Sequence, residues 1–199
     1  MIELVLAADD IAAIRSELTG GETEACSILF AAQTSRKDGT IRLLVREVEF
    51  AAPDDYRRRG PAEAELSPEF VARVTKRARR ETSVLVFVHS HLGNRAPRFS
   101  SIDGKGERLL ADFLARRHPD CAHAALVISV GGMQARRLGT DEGIRVVSIG
   151  ATREVLFDPA YEVPSISEQY DRQIRAFGRA GQESLQRLRV AIVGLLSFA

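Results

Sequence analysis

Residues 83–91 read SVLVFVHSH, and this stretch decides the fold. Its first six positions are small or apolar and rich in β-branched side chains, a pattern that indicates a central strand covered on both faces. His89 and His91 follow at the carboxyl end of that strand. Because side chains alternate along a strand, both imidazoles are predicted to point to the same face. The stretch therefore predicts a sheet in which two histidine nitrogens converge at one strand end.

The sequence before this strand predicts a helix and a hairpin. Residues 10–18 place apolar side chains on one helical face after an acidic cap. Residues 26–32 and 41–50 are apolar runs on either side of an Asp-Gly turn, which is typical of a β-hairpin. The apolar phase of the second run moves by one position near Arg46, so we expect a one-residue bulge there.

The remaining stretches predict two more helices, a loop and three more strands. Residues 51–66 hold two prolines, a glycine and many charges without any period, which indicates a surface loop. Ser67 before a proline predicts a capped helix through about Arg80. Helical spacing over 106–117 predicts a further helix whose buried face holds Leu109, Leu110, Phe113 and Leu114. Apolar runs predict strands at 124–130, 133–138 and 144–149. Helices and strands mixed without regular βαβ repetition predict an α+β fold, or a mixed α/β sheet.

Composition excludes several classes of protein. The 199 residues carry 28 Lys+Arg against 27 Asp+Glu, so the net charge of +1 supplies no field that favours nucleic acid or an anionic membrane. No apolar stretch approaches the roughly 20 residues that cross a bilayer, and the N-terminus lacks the features of a signal peptide. With Cys26 and Cys121 each inside an apolar run, we expect a soluble cytoplasmic protein with buried free thiols.

The two histidines and a nearby carboxylate suggest a metal centre. Asp103 lies where the loop after the strand enters the next predicted helix, so its carboxylate can reach back over the strand end. Two imidazoles and one carboxylate, with a fourth position left for water, are typical of an open zinc site in hydrolases. The sequence therefore predicts that His89, His91 and Asp103 bind zinc.

Hydrolysis at such a centre needs a base and a donor to the carbonyl oxygen. Glu24 begins the first apolar strand, where partial burial should raise its pKa. Glu22 is the alternative base, but Glu24 directly precedes the strand opening. Ser100 lies on the loop between the ligands and offers a hydroxyl to a substrate carbonyl.

These motifs together resemble the JAMM motif of the JAB/MPN metallopeptidases. The resemblance rests on Glu24 with the strand that follows it, on His89-Ser90-His91, and on the run from Pro97 to Asp103. It covers residues 1–150 and implies a mixed sheet flanked by helices. It also implies that His89, His91 and Asp103 are zinc ligands, Glu24 the general acid and base, and Ser100 the oxyanion donor.

The C-terminal segment carries a second resemblance. Residues 170–174 read YDRQI and residues 189–194 read RVAIVG, which is similar to the opening of the ThiF/MoeB-type activating enzymes. We expect a domain at 1–150, a linker at 151–166 and, at 167–199, only the entrance to an adenylation domain. The pair implies a substrate that ends in a ubiquitin-like or sulfur-carrier tail, cleaved at an amide or isopeptide bond.

The sequence also allows other interpretations of the protein's function and of its remaining histidines and arginines. A non-catalytic MPN-type interaction scaffold would keep the fold without the chemistry. His118 and His123, beyond a predicted helix end, are expected to be capping or surface residues. The arginines at 57–59 and the basic run at 76–80 are expected to be solvated faces, although the first group could contact an acidic surface of the modifier protein.

Overall fold

The computed structural model describes residues 1–160, together with Leu185, Leu188 and Arg189. Residues Met1–Pro159 form one compact unit, and Ala160–Ala199 form a second. Most of the predicted linker end and of the ThiF-like segment lies outside the described residues. Within the first unit the chain forms three α-helices, one short 3-10 helix and two sheets.

The elements follow one another with short connections. The strands are β1 (Ile2–Ala7), β2 (Cys26–Ser35), β3 (Ile41–Phe50), β4 (Tyr56–Gly60), β5 (Glu63–Leu66), β6 (Val84–Ser90), β7 (Ala124–Ser129), β8 (Gly132–Arg137), β9 (Arg145–Ile149) and β10 (Arg153–Phe157). The α-helices are α1 (Ala8–Thr19), α2 (Pro68–Glu81) and α3 (Ser101–Arg117), and the 3-10 helix is Pro53–Asp55.

The main sheet is mixed, with strand order β10-β9-β1-β3-β2-β6-β7-β8. The pairs β1–β3, β1–β9 and β6–β7 are parallel, and the other pairs of this sheet are antiparallel. β1, for which the sequence carried no prediction, lies between β3 and β9. The predicted mixed α/β class is confirmed.

The predicted hairpin and its bulge are confirmed. β2 and β3 pair antiparallel around the turn, and Gly39 adopts φ 79° there, a conformation that glycine reaches without steric cost. Phe30 pairs with Glu47 while the next residue, Ala31, pairs with Val45. Arg46 is thus the extra residue, and the bulge restores the apolar phase of β3 on the core side.

The helices begin and end close to the predicted positions, with two differences. Ser67 caps α2 as predicted, because its side chain accepts a hydrogen bond from the Phe70 amide. α3 begins at Ser101 instead of residue 106, because Ser100 provides an N-terminal cap there. The prediction that Leu109 faces inward is wrong: this side chain is 74% exposed, and Leu114 is the fully buried leucine of α3.

Two stretches that we expected to be irregular contain strands. In the predicted loop 51–66, β4 and β5 form a separate two-stranded sheet. These strands carry mainly charged side chains, so apolar alternation could not reveal them. In the predicted linker, β10 pairs antiparallel with β9, so the main sheet extends past residue 150 to Phe157.

Two apolar layers cover the main sheet, and β6 contributes alternately to both. Val84, Val86 and Val88 belong to the layer that includes α1, while Leu85 and Phe87 pack with residues of α2 and α3. This confirms a central strand covered on both faces. None of the helices among the described residues is long and apolar enough to span a membrane.

Candidate metal centre

The two histidines continue the alternation of β6 at its carboxyl end. Leu85 and Phe87 face the layer of α2 and α3, so His89 and, two residues further, His91 lie on that same side. The amide of His91 donates to the carbonyl of Ile128 in β7 at 2.8 Å, which ties the residue after the strand end to the sheet. Both imidazoles are partly buried.

Asp103 reaches the histidines because a capping box begins α3. The Ser100 side chain accepts a hydrogen bond from the Asp103 amide at 3.2 Å, and Asp103 Oδ2 accepts one from the Ser100 amide at 2.6 Å. This reciprocal pair satisfies two amides of the first turn and fixes the position of the Asp103 side chain. The cap therefore places a carboxylate at the helix end nearest to β6.

The three side chains converge. His89 Nε2 lies 3.2 Å from His91 Nε2, and Asp103 oxygens lie 3.5 Å from His89 Nε2 and 3.7 Å from His91 Nε2. Their candidate ligand atoms all lie within 4.8 Å of one another. Two imidazole nitrogens and a carboxylate oxygen at such separations form a donor set that suits zinc.

The local electrostatics favour the protonation states that ligands need. Burial and then the charge of His89 lower the pKa of His91, and the charge of Asp103 opposes them, so the net shift favours the neutral imidazole. Burial alone would raise the pKa of Asp103, but hydrogen bonds from His89 and Ser100 and the charge of His89 outweigh it and hold that pKa well below its ordinary value. A neutral imidazole and an ionised carboxylate both offer lone pairs to a cation.

Glu24 lies beside this group. Cys26 pairs with His89 in the β2–β6 ladder, and the Ser90 amide donates to the Ala25 carbonyl, so the register continued by one more step places Glu24 opposite His91. Burial raises the pKa of Glu24, the charge of His89 opposes this, and the charge of Asp103 adds to it. The Glu24 carboxyl group is therefore close enough to interact electrostatically with the candidate ligands His89 and Asp103.

The structure distinguishes Glu24 from the alternative base. Glu24 is buried, whereas Glu22 is exposed and precedes the segment that pairs with β6. Among the described residues, no hydrogen bond to the Glu24 carboxylate is present. Ser100 lies next to the ligand Asp103, and its hydroxyl accepts the capping bond while its own hydrogen remains available to donate.

Phe99, Arg136 and Glu107 form a chain of contacts beside His89. The sequence did not predict a role for them at the candidate site. The Phe99 ring lies 6.0 Å from the His89 ring, centroid to centroid, and the Arg136 guanidinium carbon lies 3.9 Å above Phe99. Arg136 also makes two hydrogen bonds with the Glu107 carboxylate, at 2.9 and 3.0 Å. Glu107 follows Asp103 by one helical turn, which was the one local signal available in the sequence.

A second group of candidate ligands, His118, Cys121 and His123, lies beyond the C-terminal end of α3. His118 follows the last residue of α3 and its amide donates to Leu114, as expected for a capping residue. The surface prediction for His123 is wrong, because this side chain is only 7% exposed. Its Nδ1 accepts a hydrogen bond from the Leu85 amide at 3.0 Å.

That hydrogen bond decides the chemistry of the second group. A neutral imidazole that accepts at Nδ1 carries its proton on Nε2, so neither nitrogen of His123 has a lone pair to give a metal. At the first group, no backbone amide of the described residues donates to the facing Nε2 atoms of His89 and His91. His89, His91 and Asp103 are therefore the better candidate metal centre.

Both cysteines are free thiols. Cys26 is buried as predicted, and Cys121 is only partly buried. Burial, followed by the charge of Glu24, raises the pKa of Cys26 to about 12, so this thiol stays protonated although it lies opposite His89.

Neither the models of protein families nor the curated proteins include a match to this sequence.

Proposed function

We propose that this protein is a zinc-dependent hydrolase of amide bonds, of the JAMM metallopeptidase type. The observation that carries the proposal is the convergence of His89, His91 and Asp103 with the buried carboxyl group of Glu24 beside them. When zinc is bound by the three ligands, it supplies Lewis acidity that activates a water and polarises a carbonyl oxygen.

Glu24 and Ser100 carry out the proton transfers and the stabilisation of the carbonyl oxygen. Glu24 accepts a proton from the attacking water as the oxygen adds to the carbonyl carbon. Ser100 donates its hydroxyl hydrogen to the carbonyl oxygen, on which negative charge develops. Glu24 then returns the proton to the leaving nitrogen as the carbon–nitrogen bond breaks, so the products are a carboxylic acid and an amine.

The raised pKa of Glu24 suits both proton transfers. A carboxylate with an ordinary pKa is a weak base at neutral pH, whereas one made more basic by burial accepts a proton more readily. The charges of His89 and Asp103 act on it in opposite directions, so burial sets the net direction. This supports a proton shuttle at Glu24 and not at the exposed Glu22.

For the substrate, we propose an amide or isopeptide bond that follows the C-terminal tail of a ubiquitin-like or sulfur-carrier protein. The support is the resemblance of residues 1–150 to JAMM peptidases and of residues 167–199 to ThiF-type enzymes, which act on such tails. The free thiols are consistent with a cytoplasmic protein, which we also propose.

The alternative function is an MPN-type interaction scaffold without catalysis. The low pKa of Asp103 and the unbonded Glu24 carboxylate favour the enzyme, because a scaffold has no need to gather these groups around three donor atoms. The two proposals differ in one measurable property, the presence of a tightly bound metal.

Metal analysis of the purified protein tests the centre directly. We expect one zinc per chain in the parent and in Cys121→Ser, which alters only the second group of donors. We expect His91→Ala to lose the zinc while retaining its circular dichroism spectrum. Zinc that is retained by His91→Ala but lost from Cys121→Ser would show that the metal occupies the other group and would contradict the proposal.

Glu24→Gln tests the chemistry on the same preparation. The amide cannot take up the proton, so we expect the zinc content to be kept and cleavage to slow by about a hundredfold or more. The substrates are ubiquitin-like and sulfur-carrier proteins extended by a short peptide at the C-terminus, followed by mass spectrometry. Cleavage by Glu24→Gln at the parent rate would exclude the mechanism, and absence of cleavage by the zinc-loaded parent would favour the scaffold.

A further inference from the structure

The β4–β5 hairpin holds the backbone of Glu24 from both sides. The Glu24 amide donates to the carbonyl of Gly60 at 2.9 Å, and Nε of Arg59 donates to the Glu24 carbonyl at 2.9 Å. These contacts come from the end of β4, in a stretch separated from Glu24 by the whole β2–β3 hairpin. The backbone N–H and C=O of Glu24 are thus both hydrogen-bonded to residues of β4.

Tyr56 holds the next part of the same segment. The Cys26 amide donates to the Tyr56 hydroxyl oxygen at 2.7 Å, and the hydroxyl lies 3.4 Å from the Cys26 carbonyl. The Arg59 guanidinium carbon lies 4.9 Å from the centroid of the Tyr56 ring, so the two side chains also contact each other. Tyr56 and Arg59 therefore form one clamp on residues 24–26.

Glu24 itself makes no ladder pair with the main sheet, whose nearest hold on the segment is at Ala25, hydrogen-bonded to Ser90 of β6 through both its amide and its carbonyl. β2 begins only at Cys26, and Glu24 precedes its first ladder pair with β6. Since no hydrogen bond to its carboxylate is present among the described residues, the hydrogen bonds that position Glu24 are those to its backbone. Proton transfer is sensitive to such positioning, and a displacement of about 1 Å can cost about a hundredfold in rate.

We propose that Tyr56 and Arg59 are positioning residues for Glu24, acting through its backbone. The inference rests on the proposed function for the identity of the base. Arginine suits the role because its Nε–H donates in the plane of a group that can pack on an aromatic ring, which a lysine ammonium cannot reproduce. Arg36, just beyond the end of β2 that is far from Glu24, offers a control, because its side chain is 49% exposed and lies 3.8 Å from Asp38.

The kinetic test uses the full chain loaded with zinc and a substrate that the parent cleaves. We expect Arg59→Lys and Tyr56→Phe to keep the zinc content and to change KM by less than about twofold, while kcat falls by about 10- to 100-fold. Arg36→Lys should match the parent in all three quantities. An unchanged kcat in both Arg59→Lys and Tyr56→Phe overturns the positioning role and leaves the proposed function intact.

A double-mutant cycle separates positioning from a general structural effect. In a chain that already carries Glu24→Gln, Arg59→Lys should cost little further activity, because the residue that it positions no longer transfers a proton. An equal loss in the two backgrounds overturns the inference. If Glu24→Gln alone cleaves at the parent rate, the proposed function itself fails, whatever Arg59→Lys does.

Amide hydrogen exchange in the zinc-free protein gives a readout that needs no activity. The Glu24 and Cys26 amides are the two donors that the clamp protects, at Gly60 and Tyr56. We expect both to exchange about tenfold faster in Arg59→Lys and in Tyr56→Phe, while amides of β6 exchange as in the parent. Unchanged exchange at both amides in both variants overturns the clamp, and Tyr56→Phe keeps the test open if Arg59→Lys does not fold.

Discussion

His123 is held as a neutral side chain in the folded protein. Burial and then the charge of His118 lower its pKa from 6.5 to about 4. In the unfolded chain the imidazole returns to its ordinary pKa, so the unfolded state binds more protons between these two values. The stability due to His123 is therefore fully present above about pH 6.5 and is lost as the pH falls toward 4.

Substituting His123 with Asn tests this linkage. The amide oxygen can still accept the hydrogen bond from the Leu85 amide, but Asn does not titrate. Between pH 6.5 and 4 we expect the free energy of unfolding of the parent to fall faster than that of His123→Asn, by up to about 1.4 kcal/mol per pH unit. Urea unfolding at several pH values measures both slopes, and parallel slopes would contradict the assigned pKa.

Local rules predicted which residues converge at the candidate metal centre, but they could not predict the residues that contact and support them. Strand alternation placed His89 and His91 on one face, and the position of Asp103 at the entrance to the next predicted helix allowed its carboxylate to reach back to them. Tyr56 and Arg59 act on Glu24 across the β2–β3 hairpin, and such contacts leave no periodic signal in the sequence. His123 was misjudged because a lone histidine shows its burial only through the packing around it.

At the scale of elements, Thr82 ends α2 in an unfavourable conformation. It adopts φ 51° and ψ 43°, the left-handed region, and its amide donates to the carbonyls of the last helical turn. Among the non-glycine residues that the structure describes, it is the one with positive φ. A β-branched residue is costly in this region, which glycine occupies freely.

Thr82→Gly should therefore stabilise the protein. We expect a gain of about 1 kcal/mol in the free energy of unfolding, since the relief of left-handed strain exceeds the extra entropy that glycine loses on folding. Thr82→Ala keeps a Cβ atom in the same region and should gain less. Urea unfolding of the three proteins checks the order, and a Thr82→Gly variant less stable than the parent would show that Thr82 makes a contact worth more than its strain.

Some strands could be predicted from the sequence and others could not, and the difference has physical reasons. The β2–β3 hairpin and its bulge at Arg46 were foreseen because one apolar face changes phase at a single residue. The β4–β5 hairpin has no apolar face of its own, and its strands are held by backbone pairing and by ion pairs such as Arg57–Glu65. β10 follows a glycine and precedes a proline, so its composition resembled that of a linker.

At the scale of the whole molecule, Glu3 joins four strands of the main sheet. The residue is 3% exposed, and its carboxylate lies 2.9 Å from Arg42 of β3, 3.0 Å from Arg153 of β10 and 3.7 Å from Arg145 of β9. Because Glu3 belongs to β1, these ion pairs connect the beginning of the described chain to both strands of the far sheet edge.

Glu3→Gln removes the charge that these three arginines share. Loss of one partner from a buried ion pair costs about 3–5 kcal/mol, but the arginines here are partly solvated, so we expect a loss of about 2 kcal/mol. Glu17→Gln, at an exposed position on α1, is the control and should change stability by less than about 0.5 kcal/mol. Thermal unfolding measures both, and equal stability of the two variants would refute a central role for Glu3.

The placement of β1 between β3 and β9 also has a consequence during synthesis. β1 can pair with β3 soon after Phe50 leaves the ribosome, but β9 is translated almost 100 residues later, which takes roughly 5–20 s. During that interval the other edge of β1 has unpaired amide and carbonyl groups, and such edges are prone to pair with neighbouring chains. Nascent chains are therefore most vulnerable to aggregation, and most in need of a chaperone, before Arg145–Ile149 has emerged.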